Sequence, residues 1–483
     1  MVCLPADAPS SEEKRPPDEQ AFSPSAGYYR ALATFYVENF GCRATQADGA
    51  AIERQFRDRG LDRAGAPSQA QIVVLNTCTV TASADQDARA AIRRIHRENP
   101  GCRIVVTGCY AQRAPEEIAA IPGVAQVIGN SHKRQLVEIA IPAAPETQEL
   151  TINDERSIFI SDIFAHTELL AAPVFDAANE RTRPNLKIQD GCDNRCSFCV
   201  IPFVRGQSRS LPVWRILQEV EALVAAGYRE VVISGVNLGR WGRDLWSQQR
   251  PTTNDQRLSF VSLIRTILDH TSLEKLRISS VEPMDWSDEL IRLVAESPRI
   301  AKHAHMPMQS GSDRVLRKMH RKYRPWHYRE KIGKIHAAMP AAAIGADVMV
   351  GFPGEADADF DETRRMIEDL PFTYLHVFTY SPRPGTPAAS MRSQVSVPVA
   401  RERNRILREI GAAKRQAFME SFVGQKVEAI TLNVFDGAST ECLTDNYLKL
   451  RLHGKHSPNQ WTSVGVEKVE GGTLTGTEWK REA

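Results

Sequence analysis

The chain has no apolar run near the eighteen or so residues that a bilayer-crossing helix needs, so no membrane partner is expected. It also lacks an excess of either charge: 61 Lys+Arg against 59 Asp+Glu leave a formal net charge of +2. A global basic field is therefore excluded, and any nucleic-acid site must be a local patch. The first thirty residues have no basic start followed by an apolar core, and they are rich in Pro, Ser and Glu. That composition predicts a disordered tail over 1–30, not a signal peptide. Without an export signal a cytoplasmic protein is expected. Its nine cysteines would then meet a reducing milieu, where thiols bind metal or do chemistry sooner than they pair as disulfides. Hydrophobic residues at 42% and charged residues at 25% are ordinary for a globular chain, and 483 residues suffice for two or three domains.

What is present in a telling pattern is cysteine. Six of the nine fall into two sets of three. The tighter set is Cys192, Cys196 and Cys199, in Gly191-Cys-Asp-Asn-Arg-Cys-Ser-Phe-Cys-Val200. A Cys-x3-Cys-x2-Cys loop can wrap three corners of one cubane iron–sulfur cluster and leave the fourth iron open. The competing metal is zinc, but closed structural zinc sites want four ligands and this loop offers three. Neither Asp193 nor Ser197 is a convincing fourth. The looser set is Cys42, Cys78 and Cys109. Cys102, Cys3 and Cys442 read as bystanders.

The looser set makes sense through the fold. Over 31–145, strand-like runs at 33–37, 71–76, 103–107 and 124–128 alternate with helical stretches at 49–59 and 84–98, which predicts a parallel-sheet α/β domain. Cys42, Cys78 and Cys109 each follow a strand, so all three belong at the C-terminal edge of the sheet, where ligands bind. Three unrelated core cysteines are the plain alternative. Residues 146–184 read as a connector, with Arg181-Thr-Arg-Pro184 as a hinge. The βα rhythm resumes over 185–420, with strands expected at 186–189, 230–234, 275–279, 303–308, 346–350 and 375–379. Val213, Ile216, Leu217, Val220, Leu223 and Val224 trace an amphipathic helix that Gly227 can close. Six βα units predict a partial (βα)6 barrel with its function at the C-terminal strand ends, and Cys192 follows the first strand. Over 421–483 the pattern is all β, a small barrel. There Leu448, Leu450 and Leu452 face one side, and Tyr447, Lys449 and Arg451 the other, a face suited to RNA or simply to solvent. Basic runs at Arg314, Arg317, Lys318, Arg321, Lys322 and Arg324, and at Arg401, Arg403, Arg405 and Arg408, are either RNA patches or solvated helix faces.

At this point the residues carry a resemblance. The Cys192 loop, with Phe198 before its last cysteine, resembles the radical S-adenosylmethionine (SAM) superfamily. Three scattered N-terminal cysteines, this loop and a small C-terminal β-domain resemble the methylthiotransferases. Asn76-Thr-Cys-Thr-Val-Thr81, Thr107-Gly-Cys-Tyr-Ala-Gln112, Gln189-Asp-Gly-Cys-Asp-Asn-Arg-Cys-Ser-Phe-Cys-Val-Ile-Pro202, Ser234-Gly-Val-Asn237, Ser279-Ser-Val-Glu-Pro283, Gln309-Ser-Gly-Ser312 and Gly345-Ala-Asp-Val-Met-Val-Gly-Phe-Pro-Gly-Glu355 are similar to the subgroup acting on threonylcarbamoyladenosine in tRNA. Thr444-Asp-Asn-Tyr447 resembles the TRAM RNA-binding module. Two places depart from the family pattern. Around the first cysteine the family has Cys-Lys-Val-Asn-Gln-Tyr-Glu, whereas Thr45 and Asp48 stand here for the Asn and the Glu, and Leu211 stands where a basic residue is common.

The resemblance implies two 4Fe–4S clusters, a radical-generating one on Cys192, Cys196 and Cys199 and an auxiliary one on Cys42, Cys78 and Cys109. It implies SAM contacts from Phe198, Ser234, Gly235, Val236, Asn237, Ser279, Ser280, Gln309 and Val350, and RNA contacts from Arg205, Tyr447, Lys449 and Arg451. The implied reaction cleaves SAM to a 5′-deoxyadenosyl radical, removes the C2 hydrogen of a modified adenosine beside the anticodon, and inserts sulfur from the second cluster, with both clusters facing one cavity. An electron donor and a sulfur source are implied, and the sequence identifies neither. Rival substrates are isopentenyladenosine in tRNA and a ribosomal-protein aspartate. A rival of another class is a non-catalytic, metal-stabilised RNA-binding protein.

Overall fold

The computed structural model describes residues 34–141, 157–166, 169, 183–245 and 258–479. The tail at 1–30 and residues 181 and 182 of the expected hinge lie outside them. Three β assemblies follow one another along the chain.

The first is a six-stranded, all-parallel sheet of β1 (Thr34–Asn39), β2 (Asp62–Arg63), β3 (Ile72–Thr77), β4 (Arg103–Gly108), β5 (Val124–Gly129) and β6 (Ser157–Phe159), in the order β2-β1-β3-β4-β5-β6. β3 is buried along its whole length, as a central parallel strand covered on both faces must be. Val73 and Leu75 point into one apolar layer, Ile72 and Val74 into the other. Helix α1 (Arg43–Asp58) follows β1, and α2 (Ala82–Glu98) follows β3 with its N-terminus capped by Thr81 Oγ1, which accepts from Ala84 N at 3.2 Å. The connector expectation needs correction at 157–159. These residues form β6 and pair with β5, because Ile158 and its neighbours can extend the sheet's ladder.

The second assembly has six parallel strands: β7 (Asn185–Asp190), β9 (Glu230–Gly235), β10 (Lys275–Ile278), β11 (His303–His305), β12 (Ala343–Val350) and β13 (Tyr374–Thr379). β8 (Arg209–Ser210) adds an antiparallel edge to β7. The order is β10-β9-β7-β8 and β11-β12-β13, with bridges Leu276–Ile300 and Ser280–His305 joining the halves. The result is a partial barrel open between β7/β8 and β13. Alternation sets its two faces. Ile344, Ala346, Val348 and Val350 pack outward under the helices, so Gly345, Asp347 and Met349 face the lumen. The helix expected at 213–224 spans Val213–Ala225, and Gly227 takes φ +90° just beyond it.

The third assembly is a closed barrel of β14 (Lys426–Phe435), β15 (Ser439–Thr444), β16 (Lys449–His453), β17 (Trp461–Glu470) and β18 (Thr473–Glu478). It seats on the N-terminal strand ends of the central barrel. Arg277 donates to the carbonyls of Thr444 and Asp445, and Asn446 Nδ2 to Ala341 O.

The N-terminal domain spans the open side of the central barrel, gripping both lips through buried ions. On the β7 lip, Asp48 of α1 accepts from Lys133 (3.0 Å), Arg205 (3.0 Å) and Lys187. Asp190 accepts from Lys187 (2.8 Å) and, on both oxygens, from Arg205. On the β13 lip, Asp85 Oδ2 accepts from Arg113 (2.9 Å) and from Arg383 (2.8 Å), which follows β13. Burial alone would raise the Asp48 carboxyl, but Lys133, Lys187 and Arg205 outweigh it and hold it below the usual carboxylate range. Asp190 is held low in the same way, with Arg205 and Lys187 overcoming burial. Removing one member of such a network leaves buried charge unmatched, so Asp48→Ala is expected to cost roughly 3–5 kcal/mol in denaturant unfolding at neutral pH. A depressed carboxyl stabilises the fold above its unfolded pKa of about 3.9 and loses that contribution as pH falls through the folded value. Wild-type stability should therefore drop below about pH 4 by more than that of Asp48→Ala.

Candidate active site

The three strand-end cysteines of the first domain come together, and glycine lets them. Gly41 holds φ +98°, and a Cβ there would lie 2.5 Å from Cys78 Cβ and 2.8 Å from its Sγ. Gly108 holds φ +99°, and its Cβ would collide with the backbone of Thr77. Both are conformations that L side chains rarely adopt. Each glycine precedes a cysteine, so buried Cys109 and exposed Cys42 both lie near Cys78. Burial pushes the Cys78 thiol up to about 12, with Cys109 and Cys42 beside it adding to the rise. Gly191-Cys192 repeats the doublet with φ +71°. Gly101-Cys102 does not: nothing crowds Gly101, in keeping with Cys102 as a bystander. This doublet is a signal in the sequence that cysteine spacing alone misses.

Around the triad lies polar support. Thr45 Oγ1 is 3.6 Å from Cys42 Sγ, and Asn130 Nδ2 is 3.6 Å from Cys109 Sγ. Asn76 Nδ2 donates to Thr45 O at 2.7 Å and to Asn39 Oδ1 at 3.0 Å. Thr45 and Asp48, two of the three departures from the family pattern, are thus both used. The network of Lys133, Lys187, Arg205, Asp48 and Asp190 holds three cations and two carboxylates. Its excess positive charge would offset the negative charge that thiolate ligands bring to a bound cluster. The donor set fits an iron–sulfur cluster.

The second triad occupies the loop after β7. Cys192 N donates to Gly206 O at 3.1 Å, and Cys199 N to Cys196 O at 3.1 Å. Ser197, between them, is pinned on three sides: its N and Oγ donate to Met319 O and Lys318 O, and its carbonyl accepts from Ala388 N. Burial raises the Cys192 thiol and pushes Cys199 up to about 12. Arg321 Nη1 reaches Cys196 Sγ at 3.2 Å and pairs with Glu282, so a buried cation faces this triad too. The triads approach one another through Asn130, which touches Cys109 Sγ and donates to Val204 O at 2.7 Å. Cys109 itself packs with Val200 and Val204, just past Cys199.

The residues expected to hold SAM divide. Gln189 Oε1 accepts from Asn237 N at 2.7 Å, while its Nε2 ties Asp190 O, Gly191 O and Ser208 Oγ. This clamp sets Ser234, Gly235, Val236 and Asn237 beside the cysteine loop, with Asn237 Nδ2 3.7 Å from Cys192 Sγ. Ser234 Oγ and Asn237 Oδ1 are buried without a hydrogen-bond partner. Such atoms are costly unless a ligand satisfies them, which fits the amino-acid end of SAM. Ser279 and Ser280 follow β10, and Gln309, at φ +60°, follows β11 with its N–H on Asp347 O at 2.8 Å. Phe198 stands edge-on to Phe352 at 6.5 Å.

Three expectations are corrected. Val350 is fully buried in the helix-side core, so its side chain cannot meet adenine. Arg205 is 2% exposed and engaged with Asp48 and Asp190, so it binds carboxylates of its own chain, not RNA. Tyr447 lies before β16 at φ +69°, and its side chain turns inward. Its hydroxyl accepts from Arg43 Nη2 at 3.2 Å, and its ring sits 4.9 Å from His303 and 5.4 Å from the Arg277 guanidinium. Lys449 and Arg451 do face outward, opposite Leu450 and Leu452. The basic runs are largely matched by acid: Arg314 pairs with Asp359, Arg317 and Arg324 with Asp313, Arg403 with Glu355 and Asp357, and Arg405 with Glu402 and Glu409. Leu211 is core, its carbonyl accepting from Trp241 Nε1.

Comparison with known proteins bears on this arrangement. Residues 34–129 match the family described as Uncharacterized protein family UPF0004, and residues 186–367 match the Radical SAM superfamily. The chain is 36% identical over 428 residues to the Threonylcarbamoyladenosine tRNA methylthiotransferase MtaB of Bacillus subtilis, covering 88% of this chain and 91% of that relative. The protein of the same name from Aquifex aeolicus is 34% identical, with 86% and 96% covered. A tRNA-2-methylthio-N(6)-dimethylallyladenosine synthase of Thermobifida fusca is 33% identical, with 82% and 77% covered. The solved radical SAM methyltransferase TsrM of Kitasatospora setae, with cobalamin and a 4Fe–4S cluster bound, gives a TM-score of 0.52 at 14% identity over 74% of this chain and 77% of that one, a similarity of fold. Since a Cβ at Gly108 would collide with the Thr77 backbone and displace Cys109, Gly108→Ala should drop anaerobically reconstituted iron from about eight per chain to about four, read by iron and sulfide assay.

Proposed function

This chain belongs to the radical SAM methylthiotransferase family, and from that membership we propose that it inserts a methylthio group at C2 of N6-threonylcarbamoyladenosine in tRNA. The observation that carries the proposal is identity of 34–36% over nearly the whole chain to relatives bearing that activity in their names. Two incomplete cysteine sets support it, the first linked by Asn130 and Cys109 to Val204, close in sequence to the second. When bound, the two 4Fe–4S clusters and SAM supply radical generation and transferable sulfur.

The chain's own residues do the rest. Cys192, Cys196 and Cys199 would hold one cluster, and Cys42, Cys78 and Cys109 the other. Ser234 and Asn237 would satisfy the polar end of SAM, with Gly235 and Val236 shaping that turn and Ser279, Ser280 and Gln309 on the neighbouring strand ends. Arg321 at Cys196, and Arg205 and Lys133 near Cys109, would offset the negative charge of cysteine-bound clusters. The N-terminal domain, latched to both lips of the barrel, excludes water and confines reactive species. Lys449 and Arg451 would contact RNA phosphates, an attraction that weakens with salt. An anticodon loop offers the unstacked base such a chamber requires. Electron donor and sulfur source are separate partners in this reading. The compartment follows from the substrate: the cytoplasm, with no helix among the described residues long and apolar enough to cross a membrane.

Deleting the gene should abolish the methylthio-threonylcarbamoyl nucleoside in tRNA digests analysed by mass spectrometry. Its persistence at normal level would overturn the substrate assignment, and loss of the methylthio-dimethylallyl nucleoside instead would favour the other set of relatives. In the purified protein, Cys196→Ala should abolish SAM cleavage, whereas Cys78→Ala should retain cleavage and lose sulfur insertion.

A further inference from the structure

Three strands of the central barrel place ligating groups around one point that the cysteine triads and the SAM residues leave unused. β11, β12 and β13 turn His305, Asp347 and His376 toward the lumen, since Ile344, Val348 and their alternates fill the opposite face. His376 lies directly across from Asp347 in the β12–β13 register. Asp347 Oδ1 is 3.4 Å from His305 Nε2 and 3.4 Å from His376 Nδ1. The three donor atoms all lie within 4.8 Å of one another.

The two imidazole–carboxylate contacts of this cluster are long for hydrogen bonds, 3.4 Å each. Charge-assisted N–H···O contacts close to about 2.7–2.9 Å, well inside 3.4 Å. His305 is 9% exposed, and its buried Nε2 has only the long contact to Asp347 Oδ1 as partner. The spacing suits a shared ion instead. Zinc–ligand distances of about 2.0–2.1 Å put neighbouring tetrahedral donors roughly 3.3–3.4 Å apart. Two imidazoles and a carboxylate are also a donor set that first-row divalent metals accept with coordination positions left open. The open positions would face the chamber, because the Asp347 and His376 side chains are 23% and 56% exposed. The Tyr374 ring, 5.9 Å from His305 and 5.4 Å from His376, closes the other side.

We propose that His305, Asp347 and His376 form a divalent-metal site, separate from both iron–sulfur sites, whose open positions take a carboxylate or hydroxyl oxygen of the substituent on the target nucleoside. The oxygen-ligand half rests on the threonylcarbamoyl reading; the metal half does not.

The test uses anaerobically reconstituted full-length protein with its iron counted. Equilibrium dialysis against Zn2+ should give one zinc per chain beyond the iron. His376→Asn, on the exposed rim, and Asp347→Asn should each weaken zinc binding at least about tenfold at unchanged iron content. If Asp347→Asn loses iron through misfolding, His376→Asn decides. No zinc on wild-type protein with full iron, or equal zinc affinity in His376→Asn, overturns the site. Free N6-threonylcarbamoyladenosine should tighten zinc binding by the same factor that zinc tightens nucleoside binding, and adenosine should not. Zinc affinity blind to that nucleoside overturns the ligand assignment while leaving the metal site, and its failure is distinct from loss of the tRNA product in the deletion strain.

Discussion

Everything in this molecule depends on holding a small parallel-sheet domain across the open side of a partial barrel. The barrel has six parallel strands and two unpaired lips, and the cysteines that matter lie on both sides of the gap. Apolar packing could hold the two bodies together, but it is non-directional and fixes their register less sharply. Buried ions do fix it. Asp48 reaches Lys187 and Arg205 on one lip, and Asp85 meets Arg383 on the other. Such pairs contribute little net stability compared with well-packed hydrophobic groups, yet they tolerate only one arrangement.

The same ions shape the chemistry. Arg205 and Lys133 stand next to the first cysteine set and Arg321 next to the second, so each set of thiols is met by buried positive charge. Burial alone would keep Cys78 and Cys199 protonated. A cation nearby and an iron to bind are what turn those thiols into ligands. At the first cysteine set, latch and electrostatic partner meet in Arg205, which pairs with Asp48 and lies near Cys109; this accounts for its burial.

Much of this was legible in the residues. The βα rhythm named four strands of the first sheet and all six parallel strands of the barrel, because apolar runs at strand length alternate with helical spacing. Placing three cysteines after three strands sufficed to bring them to one edge. The misses have physical causes. β2, β6 and β8 are only two or three residues long and carry no period. Tyr447 lies two residues before β16 begins at Lys449, and its left-handed backbone turns the ring inward, out of the face that Lys449 and Arg451 share. Val350 carries a motif's identity but obeys its strand's parity. Basic runs at Arg314 and Arg403 could not reveal their partners, since Asp359 and Glu355 lie some 45 residues away in sequence. The lumen trio is invisible for a like reason, being assembled from three strands by register alone.

The seat of the C-terminal barrel has a consequence of its own. Tyr447 does not merely touch the central barrel; with His303, Tyr374 and Arg277 it forms the floor of the lumen, and through Arg43 it abuts the residue after Cys42. A module that in outline looks like a detachable handle is therefore also the stopper of the vessel. Shortening the chain at this end would not leave a weaker-gripping but otherwise sound reactor; it would leave one that drains.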